Sequence, residues 1–408
     1  MKSRNWSRKS VLVCGVISLL ARGVAAAQAA PAAQATPAAP AKSPAIVLVD
    51  GADAVQWQTW TRDLGWQVIV PAAEAANANP DARVQALTSV VEAAIRNAGV
   101  DAARVYLAGR GSAAAVVFYA ISRVPDLWAA GIALGGSPKA AIDTNRLFSA
   151  NFTNVPVLWI GESGDQALAE KLKSAGLNLE WRLAKGVTNG DVFQWLAGHQ
   201  RDQFPAAIDC ETNSPAFARC YWIRMAKFDP SERNDVLPST RLAGGSGAAL
   251  DLGAFGYSAT DAGPGVLVSH LPEKYSGPLK MGDRIVALDG KPIQDARQFA
   301  ETMEQMVEEK AVVALVQRGK ERIRVETRIV LPPRDSAVTA RVQAQYSPAE
   351  KEIQIISRTV TEMRVTVPPA WTPAKLYWNG LSLEDLKTPG CYALTVEKEL
   401  LHAAPCEN

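Results

Sequence analysis

Histidine is almost missing from this 408-residue sequence, with only His199, His270 and His402, and no two cysteines stand in a CxxC pair. Both absences argue against a metal or thiol redox centre, which needs such ligands in groups. No long basic block interleaved with aromatics occurs after the first ten residues. The 43 basic and 41 acidic residues leave a formal net charge of +2, so nucleic acid is a poor partner. The apolar run from Val11 to Leu20 is too short to span a bilayer, and no transmembrane anchor is expected after processing. What the chain does have is 48% hydrophobic residues, enough for two or three domains with their own cores.

Lys2, Arg4, Arg8 and Lys9 precede that apolar run, and the small residues Ala25, Ala26 and Ala27 follow it. This is the pattern of a secretory signal peptide over residues 1–27. Cys14, after Val13, lies in a poor context for lipid attachment and is expected to be removed with it. Residues 28–44, rich in Ala and Pro, read as an extended linker. The destination is exported, periplasmic or extracellular. Four cysteines then remain, Cys210, Cys220, Cys391 and Cys406, and an even count in an exported chain argues for disulfides. Proximity favours Cys210 with Cys220 and Cys391 with Cys406; the other two pairings stay open.

From residue 45 strand and helix signals alternate. Ala45–Val49, Trp66–Val70, Arg104–Leu107, Ala130–Leu134, Val155–Ile160 and Leu179–Leu183 read as strands. A helix is expected from Asp81 to Ala98, with Val84, Leu87, Val91, Ala94 and Ile95 on one face, and another over Ser112–Ile121. Such alternation implies an α/β domain over 45–205, its sheet mostly parallel and its binding loops at the C-terminal ends of the strands.

The stretch VYLAGRGSAAAVVFYA, Val105 to Ala120, resembles the nucleophile elbow of the α/β-hydrolases, especially esterases similar to polyhydroxyalkanoate depolymerases. Their elbow reads G-x-S-x-G. By that resemblance Gly109 takes the first glycine, Arg110 a variable position, Gly111 the nucleophile, Ser112 the next variable position and Ala113 the last glycine. The nucleophilic hydroxyl is absent. The loop GESGD puts Asp165 at the triad acid, and AKGVTNGDVFQWL puts Thr188 and Asn189 where the histidine belongs; neither is a suitable base near neutral pH. The triad is thus degenerate at Gly111, Asp165, Thr188 and Asn189, and Asp165 reads as a structural or capping residue. Ser112 is the alternative nucleophile, its plainer reading a helix N-terminal hydroxyl. Ser137 and Ser163 read as turn residues, and His199 as a solvated helix end. Trp128, Trp159, Trp181 and Trp195 could line the emptied crevice, but read more readily as core.

GGSG at Gly244–Gly247 reads as a hinge. After it come a strand at Gly265–Ser269, the run GPLKMGDRIVALDGKPI with a strand at Arg284–Leu288, a helix capped by Asp295 and reaching Glu309, and strands at Ala311–Gln317 and Arg322–Ile329. This order resembles the PDZ domains of bacterial periplasmic proteases, over 244–334. The resemblance implies that peptide or protein C-termini add as a strand, their carboxylate meeting Leu252, Gly253 and Ala254, with Phe299 and Met303 either in the side-chain pocket or in the core. His270 reads as a surface residue. The remaining 335–408 form a β-rich module from short strands, among them Lys351–Ser357, Glu362–Val367, Leu376–Trp378 and Tyr392–Val396. The segment 206–243 connects, and its strand Tyr221–Ala226 could belong to that module, making the PDZ-like domain an insertion.

The fold class expected is therefore α/β, a hydrolase-like parallel sheet with a PDZ-like domain and a small C-terminal β-rich module. The function expected is an exported binding or scaffold protein without a catalytic triad and with no cofactor or metal. The alternatives are a serine esterase with a relocated nucleophile and a polymer- or carbohydrate-binding accessory protein. Oligomeric state is not legible.

Overall fold

A computed structural model describes residues 42–72, 79–232, 234, 236–242, 248–258, 261–306, 308–331 and 338–407. The signal peptide, Cys14, nearly all of the linker, the hinge Gly244–Gly247, Val307 and the junction at 334 lie outside the described residues.

Six strands form the first sheet: β1 (Ser43–Leu48), β2 (Gln67–Ile69), β3 (Val100–Arg110), β4 (Ala130–Leu134), β5 (Val157–Gly161) and β6 (Leu179–Leu183). Their order is β2-β1-β3-β4-β5-β6, and every pairing is parallel. β1 and β5 are buried along almost their whole length instead of alternating, as strands covered on both faces must be. The covering helices are α1 (Ala54–Thr61), α2 (Pro80–Asn97), α3 (Ala113–Arg123), α4 (Lys139–Ile142), α5 (Gln166–Ser174) and α6 (Asn189–Ala197). One face packs Val84, Leu87 and Val91 of α2, the Ala- and Val-rich α3, and Leu172 of α5 against Val47, Leu107 and Trp159. The other packs Trp57 of α1 and Val192, Phe193 and Leu196 of α6 against Ile46, Tyr106 and Leu158. This is an α/β-hydrolase-like architecture.

The boundaries moved where side chains found partners. Ser43 and Pro44, counted in the linker, open β1, since Ser43 N donates to Gly99 O and its Oγ accepts from Gln67 Nε2. Asn79, ahead of Pro80, caps α2 through its bond from Ala82 N.

The chain then makes β7 (Ala207–Thr212), β8 (Arg219–Cys220) and β9 (Ile223–Phe228). The expected strand Tyr221–Ala226 is displaced because Tyr221, at φ +53°, turns the chain between β8 and β9. A separate sheet follows, from β10 (Ala249–Leu250), β11 (Gly256–Tyr257), β12 (Val266–His270), β13 (Arg284–Leu288), β14 (Lys291–Pro292), β15 (Lys310–Arg318) and β16 (Glu321–Val330), with α7 (Ala296–Glu304) against it. α7 stops five residues short of the expected Glu309. That carboxylate instead accepts from Arg328 Nη2 and Leu331 N of the neighbouring segment, so the chain has to leave the helix and reverse first.

Last come β17 (Ala340–Ser347), β18 (Glu352–Arg358), β19 (Val360–Val367), β20 (Ala374–Trp378), β21 (Leu381–Leu386), β22 (Gly390–Glu397) and β23 (Leu400–Cys406). They complete two sheets, β21-β20-β18-β17-β7 and β23-β22-β19-β9-β8, which close on one core that includes Trp222, Ile353 and Trp378. β7 thus pairs with β17 and β9 with β19, strands that lie beyond the intervening sheet in sequence, while β8 joins its sheet through β9. The disulfide Cys210–Cys220 joins β7 to β8, one strand from each sheet, and Cys391–Cys406 links the directly opposed pair of β22 and β23. Both are consistent with an oxidising extracellular or periplasmic environment. No described helix is long and apolar enough to cross a membrane.

Candidate ligand crevice

In an open parallel sheet the ligand crevice opens beyond the C-terminal strand ends where strand order reverses. Here β1 connects to β2 on one side and β3 joins it on the other, so the loops after β1 and β3 splay apart. The turn after β3, read from sequence as the elbow, is a tight strand-to-helix turn. Gly111 adopts φ +57°, and its N–H donates to Leu134 O at 2.8 Å, fastening the turn to β4. At Gly109 an added Cβ would stand 2.5 Å from the carbonyl oxygen of Ala113, so only glycine lets α3 start this close to β3. Gly111 faces open space, with no atom within 4 Å of where its Cβ would be. The residue at the tip of this turn has no side chain.

Asp165 accepts from the backbone N–H of Glu162 through Oδ2 at 2.9 Å, in a reciprocal capping box at the start of the turn leading into α5. Thr188 is the N-cap of α6: its Oγ1 accepts from Asp191 N at 3.3 Å, and Asp191 Oδ2 accepts from Thr188 N at 2.8 Å. Asn189 begins that helix. The two positions carry helix caps of the kind that fit their local sequence. His199 lies elsewhere. Its carbonyl accepts from Tyr106, its ring contacts Trp195, and Arg201 just beyond it bonds Ala103 near the start of β3. The elbow follows the other end of that strand, roughly 25 Å along it. His270 and His402 are exposed on the two other sheet systems.

Ser112 stands at the N-cap of α3 but makes no capping hydrogen bond, contrary to its expected role; its φ of −62° and ψ of −27° are already helical, which turns the hydroxyl away from the free N–H groups. It is exposed and borders a cavity of about 160 Å³ with Arg83 and Tyr119. Burial, with the hydrogen bond to Asp81, pushes the Tyr119 hydroxyl up to about 12, so it stays protonated and cannot accept the serine proton. Ser137 Oγ accepts from Lys139 N, as a turn residue does, and Ser163 opens a 3₁₀ turn.

The crevice beside the elbow has a volume of about 320 Å³. Its walls come from Trp57 and Trp60 of α1, Leu134 and Ile160 at the ends of β4 and β5, and Val192 and Phe193 of α6. Trp57 meets Trp60 at 5.2 Å and Phe193 at 6.0 Å, both edge to face. Arg110 and Glu162 supply the charged groups, and Arg110 Nε is tied to Asp53 Oδ2 at 2.8 Å across the splayed loops. Of the four tryptophans read more readily as core than as lining, Trp128 and Trp159 are fully buried in the core, and Trp181 and Trp195 also lie outside the lining. Trp57 and Trp60 were missed, although their spacing of three in AVQWQTWT marks one helical face. Among the described residues no group of three or more His, Cys, Asp or Glu side chains could hold a metal ion.

In the sheet that contains α7, Leu252 is buried while Gly253 and Ala254 are exposed in the turn between β10 and β11. Tyr275 donates its hydroxyl to Leu252 O. Phe299 and Met303 are core residues at 5% exposure each, and Phe299 carries the exposed Tyr257 ring on its edge at 5.6 Å. Among the described residues β11 is the end strand of its sheet.

No family model matches the chain. No curated protein matches it either. Among solved structures it is similar to a thermostable esterase (17% identity, TM-score 0.29), covering 40% of this chain and 56% of that one, so the match spans little more than half of the esterase. It is also similar to esterase PE8 (19% identity, TM-score 0.27, 39% of this chain and 91% of that one). SOBER1 of Arabidopsis thaliana matches at 14% identity and a TM-score of 0.29, over 38% of this chain and 97% of that one.

Proposed function

We propose that the protein is an exported binding protein whose crevice holds a compact aromatic or acyl ligand without cleaving it, and whose segment 244–334 is a PDZ-like module for peptide C-termini. The observation that carries the first part is the elbow: Gly111 supplies no nucleophile, and no histidine lines the crevice beside it. An apolar aromatic lining with a few polar groups suits binding of a small ligand. The open edge of β11 supports strand addition by a peptide in the second part.

A second reading, a hydrolase with Ser112 as nucleophile, is favoured by that residue's exposed hydroxyl, which has no capping bond and lies one position beyond the elbow tip. Hydrolysis of p-nitrophenyl butyrate, with fluorophosphonate labelling followed by intact mass, separates the two. The binding reading expects neither turnover nor label. Stoichiometric labelling, with turnover abolished in Ser112→Ala, would replace it with the hydrolase. For the module, peptides with a free apolar C-terminus are expected to bind more tightly than their amidated forms, and equal affinity would remove the carboxylate-loop assignment.

A further inference from the structure

The sheet β21-β20-β18-β17-β7 turns alternate residues away from the sandwich core. Asp209 on β7, Gln343 and Gln345 on β17, and Gln354 and Ile356 on β18 face outward and line a concavity of about 310 Å³. Register places Gln343 between Asp209 and Ile356, and Gln345 opposite Gln354. Opposed residues lie about 5 Å apart, and alternate residues along a strand about 7 Å. Three primary amides and one isoleucine therefore occupy a field about the size of a single sugar ring.

The polar groups are held in advance. Arg341, at 6% exposure, grips both oxygens of Asp209, Nε to Oδ1 at 2.9 Å and Nη2 to Oδ2 at 2.6 Å. Asp209 Oδ2 in turn accepts from Gln343 Nε2 at 2.7 Å, which fixes the amide plane and leaves Oε1 as an oriented acceptor. The side-chain amide of Gln345 bonds no described protein atom, and Gln354 Nε2 reaches Glu352 only at 3.4 Å. Ile356 is 39% exposed beside them, an apolar surface next to the amides.

A sugar hydroxyl donates and accepts at once, and so does a glutamine amide; the C–H face of the ring matches the isoleucine. The carboxylate in the lining, Asp209, is already paired with Arg341, so the lining itself does not call for a charged ligand. A stable protein interface needs about 800 Å² on each partner, more than this concavity offers. We propose that this face is a binding site for a neutral oligosaccharide, separate from the crevice.

The test is isothermal titration of the intact mature protein with cellohexaose, chitohexaose and maltohexaose, supported by saturation-transfer NMR. Binding of at least one is expected at millimolar concentration. The double variant Gln343→Ala/Gln345→Ala should weaken it roughly tenfold, the loss of one or two hydrogen bonds. Trp60→Ala in the crevice should leave it unchanged. Should the double variant fail to fold, Gln354→Glu, at an exposed position, must weaken binding in its place. No binding of any of the three, or wild-type affinity in the folded amide variants, would overturn the proposal.

Discussion

Replacing Gly111 with serine puts a hydroxyl at the elbow tip and isolates what the backbone there costs. At φ +57° an L-residue pays about 1–2 kcal/mol for the left-handed conformation. Stiffening the unfolded chain returns roughly 0.4–1 kcal/mol. No steric penalty is added, because nothing lies within 4 Å of the new Cβ. The net is a loss of about 1 kcal/mol, or about fivefold faster exchange of amides that open with this element. Gly109→Ala is the contrast: its Cβ meets a backbone carbonyl oxygen at 2.5 Å, so strand and helix must separate, at a cost of about 3 kcal/mol or more. Hydrogen-exchange mass spectrometry on peptides spanning β3 and α3 reads both. Gly111→Ser should also leave ester hydrolysis at background, since no imidazole stands by to take the proton. Destabilisation equal to that of Gly109→Ala, or measurable turnover, would refute the reasoning.

Cys391→Ser should lower the stability of the sandwich by about 3 kcal/mol, since its disulfide closes a loop with a sequence separation of 15; guanidinium denaturation beside a reduced wild-type control measures this. Glu211, buried at 1% exposure, accepts from Ser239 Oγ, from Thr240 N and Oγ1, and from Arg358 Nη2, so it joins segments that lie before and after the intervening sheet in sequence. Glu211→Ala should cost about 3–5 kcal/mol by leaving Arg358 uncompensated, read as a shift in the denaturation midpoint. Burial opposes the charge of Asp283, yet the hydrogen bonds from Arg318 and from the Lys280 backbone outweigh it and hold the carboxyl below the ordinary value of about 3.9. Its contribution is present above that ordinary value and disappears as pH falls through the lower folded-state value. Melting curves below pH 4 should therefore be flatter with pH in Asp283→Asn than in wild type.

Local chemistry was readable where neighbours in sequence are also neighbours in space. The apolar runs of β1 and β5, the stop of α2 before Gly99, the short-loop disulfides and the elbow are set by residues a few positions apart. Helix ends were less legible. α7 ends at Glu304, ahead of Glu309, which pairs with Arg328, and the start of α2 belongs to Asn79 because its side chain accepts from Ala82 N.

By itself the sequence determined that Gly111 carries no nucleophile, that His199, His270 and His402 are the only imidazoles, and that a parallel α/β layer precedes β-rich segments. Those are matters of residue identity and short-range periodicity. Tertiary structure alone decided that Trp57 and Trp60 wall the crevice, that Arg110 reaches Asp53 across 57 positions, and that β7 pairs with β17 across the whole intervening sheet. Each of these depends on burying apolar faces and pairing charges between segments far apart in the chain, and which distant segment a face meets is not written in either segment read alone.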